Sequence, residues 1–121
     1  MMTHKEIAKL FLELAGSGKV EEAFSKFVAS DFIHHNQYFK GDRAALEQAM
    51  SDAHEKSPNK AIVIKYCYKD GDTIITHSLV EKEEMNIAVV HIFRFVEDKI
   101  VELWDLGQVI EKHSPNENGL F

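Results

Sequence analysis

The chain has 121 residues, 45% of them hydrophobic and 28% charged, and its twenty acidic side chains against fourteen basic ones leave a net charge of −6. That length builds one domain, residues 1–121, able to bury most of its apolar surface unaided, and the acidity without a basic stripe argues against nucleic acid or anionic membrane as partners. A single cysteine, Cys67, excludes a disulfide framework and fits a reducing, cytoplasmic setting.

The N-terminal stretch MMTHKEIAKLFLELAG interleaves charges with apolar residues. It offers neither a signal-peptide core nor a span of about 20 apolar residues, so no membrane association is expected. Thr3 and Glu6 spell a capping box, and Ile7, Leu10, Phe11 and Leu14 follow at helical spacing until Gly16 and Gly18 end the run. A second helix is expected over about Lys19 to Ala29, with Val20, Ala23, Phe24, Phe27 and Val28 on one stripe, packed on the first as a helical hairpin. Phe32 to Asn36 reads as a short edge strand running into a loop, with His34 and His35 pointing opposite ways. Asp42 then caps a third helix, about Arg43 to Glu55, whose apolar face is Leu46, Ala49, Met50 and Ala53, and Ser57-Pro58-Asn59 stops it.

From Ala61 the hydrophobic period changes from near 3.6 to near 2. Ala61 to Tyr68 and Thr73 to Glu81 form a hairpin around Lys69 to Asp72, and Lys82 to Asn86 is a charged turn. Two long apolar runs follow, Ile87 to Val96 and Ile100 to Val109, and read as an antiparallel hairpin. Residues 110–121, with Pro115 and Asn118-Gly119, form a tail expected to be loosely ordered. Three helices followed by four strands predict an α+β domain in which the helices cover one face of a curved antiparallel sheet. The run AVVHIF is apolar on both faces, which predicts a homodimer through the outer sheet face.

Two residues break the last hairpin's apolar pattern, His91 and Asp105. Burying an imidazole and a carboxylate on adjoining strands costs free energy unless they pair or serve a cavity. A three-residue loop, Glu97 to Lys99, sets His91 directly across from Asp105, whereas a two-residue loop at Asp98-Lys99 turns Asp105 to the other face. The odd loop is favoured because it gives both polar residues one environment. Asp105 then reads as a general base poised by burial, with His91 orienting it or donating to an enolate oxygen; a purely structural pair is the alternative. His35 and Asn36 read as pocket-rim contacts or as a loop turn. His77, alternating with Ile75 and Leu79, is aimed either at the same cavity or into the core. Seven histidines raise the question of a metal, yet the spacings lack HxH, HExxH and any cysteine cluster, so no metal site is expected. Trp104, of opposite parity to Asp105, reads as packing or dimer surface.

The strings FIHHN, VVHIFRF and KIVELWDLGQ, in this order after two helices, resemble the SnoaL-like polyketide cyclase branch of the nuclear-transport-factor-2-like superfamily from about Ile7 to Val109. The resemblance implies a cone-shaped fold, a deep pocket between sheet and helices, dimers through the outer sheet face, and aldol-type chemistry without metal or organic cofactor. It also implies roles for Asp105 as acid/base, with His91 and Asn36 beside it. Two positions depart from the pattern: Val89 stands where a polar side chain is frequent, and Asp98 where a turn glycine is. The expectation is thus a cofactor-independent cyclase, isomerase or aldol-type lyase acting next to the carbonyl of a small hydrophobic molecule. Asp105 and His91 would be catalytic, and His35, Asn36, His77, Val89 and Phe93 would contact substrate. The alternative is a non-catalytic small-molecule-binding or dimerisation module of the same fold.

Overall fold

The computed structural model describes residues 1–121 and orders them as α1 (His4–Gly16), α2 (Val20–Phe27), β1 (Val28–His34), α3 (Arg43–Lys56), β2 (Asn59–Asp70), β3 (Thr73–Lys82), β4 (Asn86–Val96) and β5 (Lys99–Val109). The α1 capping box forms as its sequence requires: Thr3 Oγ1 accepts from Glu6 N at 3.1 Å and Glu6 Oε1 accepts from Thr3 N at 2.8 Å. The apolar stripe this start sets in phase buries Ile7, Ala8, Phe11 and Leu12 against the sheet. Phe11 meets Phe24 of α2 with ring centroids 5.5 Å apart and Phe93 of β4 at 6.0 Å, which joins the helical pair to the sheet through offset aromatic contacts.

Helix α2 is shorter than its periodicity suggests. Val28 already has strand dihedrals, φ −105° and ψ 131°, and the chain passes without a loop into β1. The cause is non-local: β1 lies parallel to β5, with Val28 beside Ile100 and His34 beside Leu103, so pairing overrides helix propensity. The five strands run in the order β1-β5-β4-β3-β2, antiparallel except at that one edge. The sheet curves, and the helices cover one side of it. No helix is long and apolar enough to cross a membrane.

The β4–β5 hairpin corrects the expected loop. Val96 pairs with Lys99, so only Glu97 and Asp98 make the turn, with Glu97 in the left-handed region at φ 54°. Simple two-residue alternation from that turn would place His91 opposite Trp104. A bulge intervenes: Phe95 pairs with Ile100 but Arg94 pairs with Glu102, leaving Val101 as the extra residue, and the shifted ladder brings His91 opposite Asp105.

Two glycines seat α1 and its turn against their neighbours. A Cβ at Gly16 would collide with the Ile62 side chain on β2, and Gly18 has φ +93° with the His54 ring where a Cβ would be, 2.5 Å from Nε2. On the opposite side of the sheet Tyr66, Tyr68 and Leu106 are exposed. Residues 110–121 have no regular structure, yet they do not trail away: Ile110 N donates to Asn86 O at 2.8 Å, and the Phe121 ring returns to the outer face 4.7 Å from His77.

Candidate functional site

Alternation along the central strands decides which side chains share the helix-covered face. The row across β3, β4 and β5 reads Thr76, His91, Asp105, and the next rows carry Ile74, Phe93, Leu103 on one side and Ser78, Val89, Gly107 on the other. Between this face and the helices lies a cavity of about 180 Å³. Its apolar wall includes Leu12, Met50, Ile62, Val80 and Val89, and its polar lining is His54, Asn59, Lys82, His91 and Asp105. A larger open groove, about 830 Å³, lies between the β3–β4 turn and residues 109–115 and shares only Lys82 with the cavity. Nine of its twelve lining residues are not hydrophobic, so it offers no dry environment for chemistry.

Asp105 is held from two sides. His91 Nε2 lies 3.5 Å from Oδ1, and Asn36 Nδ2 donates to Oδ2 at 3.1 Å. Asn36 is itself fixed, because its Oδ1 accepts from Tyr38 N at 3.0 Å, leaving the amide nitrogen turned to the carboxylate. The loop turn and the site contact, alternatives in the sequence, are the two ends of one side chain. Beneath them His34 is buried; its Nδ1 accepts from Asn36 N at 3.1 Å and its Nε2 donates to Lys40 O at 2.7 Å, partners that select the Nε2–H tautomer.

His91 is buried over Phe93, ring centroids 5.9 Å apart, and its Nδ1 has no partner. Burial pushes its pKa below the usual histidine value, the nearby Asp105 carboxylate pulls it back in part, and the lowering prevails, so the ring is neutral near pH 7. Asp105 keeps about a quarter of its side chain accessible, 23% against 11% for His91, which leaves the carboxylate reachable from the cavity. Thr76 Oγ1, Ser78 Oγ, Asn59 Oδ1 and His54 Nδ1 are also buried without partners.

The structure thus gathers Asp105, His91, Asn36 and Val89 and separates the other expected contacts. Phe93 is fully buried in the core beneath His91 rather than on the cavity wall. His77 pairs with Val90 on the outer face, stacked between Tyr66 at 5.8 Å and Phe121 at 4.7 Å. The apolar neighbours Ile75 and Leu79 suggested the inner face, but they face outward themselves, and the inner row carries Thr76 and Ser78. His35 also lies outside, stacked on Trp104 at 4.6 Å and donating to Glu102 Oε2 at 2.6 Å. With Arg94 Nε 2.8 Å from its other oxygen, Glu102 has a pKa below the usual carboxylate range, the His35 hydrogen bond being the larger cause. No three His, Cys, Asp or Glu side chains converge as metal ligands.

Sequence reasoning missed His34, His54, Asn59 and Lys82. Period-2 counting from Val80 places Lys82 inward, and His54 follows Met50 by four on α3, so both were within reach of the pattern. Asn59 was read only as a helix stop.

The family described as SnoaL-like domain matches residues 8–103. No curated protein matches the sequence. Among solved structures, an NTF-2-like protein of unknown function from Burkholderia xenovorans superposes with TM-score 0.74 at 14% identity, over 93% of this chain and 88% of that one. A SnoaL-like polyketide cyclase from Agrobacterium tumefaciens gives TM-score 0.73 at 13% identity, over 89% and 93%. An LEH-like epoxide hydrolase from M. tuberculosis gives 0.67 at 12%, over 87% and 82%. At such identities the likeness establishes the fold alone.

Proposed function

The chain belongs to the SnoaL-like domain family, and from that membership we propose that it is a small cofactor-independent enzyme doing acid/base chemistry next to a carbonyl group. The observation that carries this reading is Asp105, reachable from the cavity and held between a neutral His91 and the amide of Asn36. Asp105 takes a proton from the carbon beside the carbonyl, and the remaining N–H of Asn36 Nδ2, beside that carboxylate, serves as donor to the enolate oxygen that develops. His91 positions the carboxylate; its 3.5 Å approach tightens when substrate excludes water. Returning the proton to another carbon is isomerisation; attack of the enolate on a second carbonyl, with the proton passing from Asp105 to the alkoxide formed, is aldol-type ring closure.

Cavity size selects among substrates. About 180 Å³ lies below the ~300–1,000 Å³ common for drug-sized ligands. A small substrate fits this reading better than a multi-ring polyketide. The exposed outer face of Tyr66, Tyr68 and Leu106 supports, in the same proposal, a homodimer built through that face.

The test is solvent deuterium exchange at the carbons flanking the carbonyl of small ketones, followed by NMR. Asp105→Asn is expected to lower the exchange rate by about 10²–10⁴-fold while keeping the thermal midpoint, since the amide preserves shape and one acceptor oxygen. His91→Gln loses less. A variant Asp105→Asn that exchanges at the parent rate refutes the assignment and leaves a pocket that binds without catalysing.

A further inference from the structure

The cavity has a second polar end, and nothing in the acid/base chemistry of Asp105 accounts for it. Lys82, the last residue of β3, lines the cavity on the same face as Val80 and Ser78. Its Nζ donates to Ser57 O, and none of the ion pairs in the chain includes it. Two further residues of the lining hold a buried, unpaired atom, Asn59 its Oδ1 and His54 its Nδ1. The Asn59 amide nitrogen is already committed to Gly16 O at 3.0 Å, and the His54 ring is wedged against Gly18, so neither side chain is free to swing out to solvent. Burial has dehydrated the ammonium enough to lower its pKa from the usual lysine value. A lysine ammonium without a carboxylate partner gains most from an anion, and His54 Nδ1 is a second donor toward it in the Nδ1–H tautomer, whereas Asn59 Oδ1, an acceptor, adds nothing for an anion.

We propose that the natural ligand of this cavity is a carbonyl compound that also bears a carboxylate, with the carboxylate held by Lys82 and His54 and the carbonyl presented to Asp105. The carbonyl end rests on the acid/base reading above; the carboxylate end stands on its own observations. Spacing narrows the class further. Thr76 pairs with His91, and Lys82 lies six residues further along β3. At about 3.3 Å per residue that is ~20 Å between backbone positions, shortened by the reach of the lysine side chain and the curvature of the sheet. Carboxylate and carbonyl are therefore separated by several carbons, and the wall of Met50, Ile62 and Val80 takes the methylenes between them. A 2-oxo acid, whose two groups adjoin, satisfies one end or the other but not both.

Calorimetric titration of the full chain tests this with three probes: 7-oxooctanoate, its methyl ester, and 2-oxopropanoate. The long keto acid is expected to bind about tenfold or more tighter than its ester, as a charge-assisted hydrogen bond implies. It should likewise bind more tightly than 2-oxopropanoate. Lys82→Met should erase the preference for acid over ester, Lys82→Arg should retain it as the control for folding, and Asp105→Asn should retain it too. Equal affinity for acid and ester in the parent, or a preference that survives Lys82→Met, overturns the proposal. A 2-oxopropanoate affinity equal to that of the long acid overturns the spacing. Loss of the acid preference with Asp105-dependent deuterium exchange intact refutes this inference alone. An acid preference accompanied by exchange indifferent to Asp105→Asn refutes only the catalytic reading.

Discussion

His91 gives the sharpest physical prediction, because a buried neutral imidazole makes stability depend on pH in a fixed direction. Its pKa is lowered on folding, mainly by burial and despite the neighbouring Asp105, so the unfolded chain binds a proton more readily than the folded one. The stabilising contribution is fully present above the unfolded value of about 6.5 and is lost as pH falls from there toward the lowered folded value. One proton taken up on unfolding corresponds to about 1.4 kcal/mol per pH unit, so between pH 7.5 and 5.5 the parent loses at most about 1.4 kcal/mol from this residue alone. With a urea slope of about 1–3 kcal/mol/M, the midpoint moves down by no more than about 1.4 M. Trp104 is the single tryptophan and supplies the fluorescence signal for urea titrations of the parent and of His91→Gln. Every other ionisable side chain is common to both proteins, so the difference between the two pH profiles isolates His91: the parent should fall more steeply below pH 6.5. Parallel profiles would refute the burial argument, since a histidine with equal proton affinity in both states contributes no slope.

Two further outcomes follow from the two faces of the sheet. Light scattering should give about 27.6 kDa, twice the 13.8 kDa of one chain, and the double variant Tyr66→Lys with Leu106→Lys should return the monomer mass; a parent already monomeric at micromolar concentration removes the dimer. On the inner face Thr76 is fully buried and its hydroxyl has no partner, so Thr76→Val should leave urea stability unchanged or raise it by about 1 kcal/mol, and a loss larger than that would mean the hydroxyl is satisfied after all.

The parts of the fold legible in the sequence are those set by local pattern. Thr3 and Glu6 start α1, Asp42 caps α3 by accepting from Ala45 N at 2.9 Å, and the strand pairs β2–β3 and β4–β5 follow from alternation and turn residues. The parts that escaped depend on partners distant in sequence. Val28 continues a helical stripe until β5 offers it a parallel neighbour, and nothing in residues 19–29 announces that strand. The bulge at Val101 escaped because one extra residue in an apolar run leaves no compositional mark, although it decides which residue faces His91. The expected encounter of His91 with Asp105 occurs, but through a two-residue turn and a bulge instead of a longer loop. Asn36 was placed at the site by the family resemblance; the geometry adds that His34 and Tyr38 N hold it there. His77 was misplaced because its apolar neighbours Ile75 and Leu79 line the outer face, while the inner face of β3 carries Thr76 and Ser78; His35, read as a contact at the pocket rim or as part of a loop turn, lies outside against Trp104 and Glu102.

The pattern of β3 joins these observations. It turns Thr76 and Ser78 inward, toward the helices, and Ile75 and Leu79 outward. A strand selected for stability alone would reverse that order, because buried hydroxyls without partners cost about 1–3 kcal/mol each and exposed aliphatics gain nothing from water. The inversion continues on both neighbours, where His91 and Asp105 face inward and Val90, Ile92 and Trp104 outward. Moving the polar set outward by one residue of register would also move Val89, Phe93 and Leu103 out of the core, since parity moves whole strands together. The polar row is thus carried inside by the aromatic and aliphatic residues that flank it on the same strands. What the fold gives up in stability there is offset by those flanking residues, and the ligand proposed above, with polar groups at two ends and an apolar middle, would meet that row, the lysine end and the wall between them.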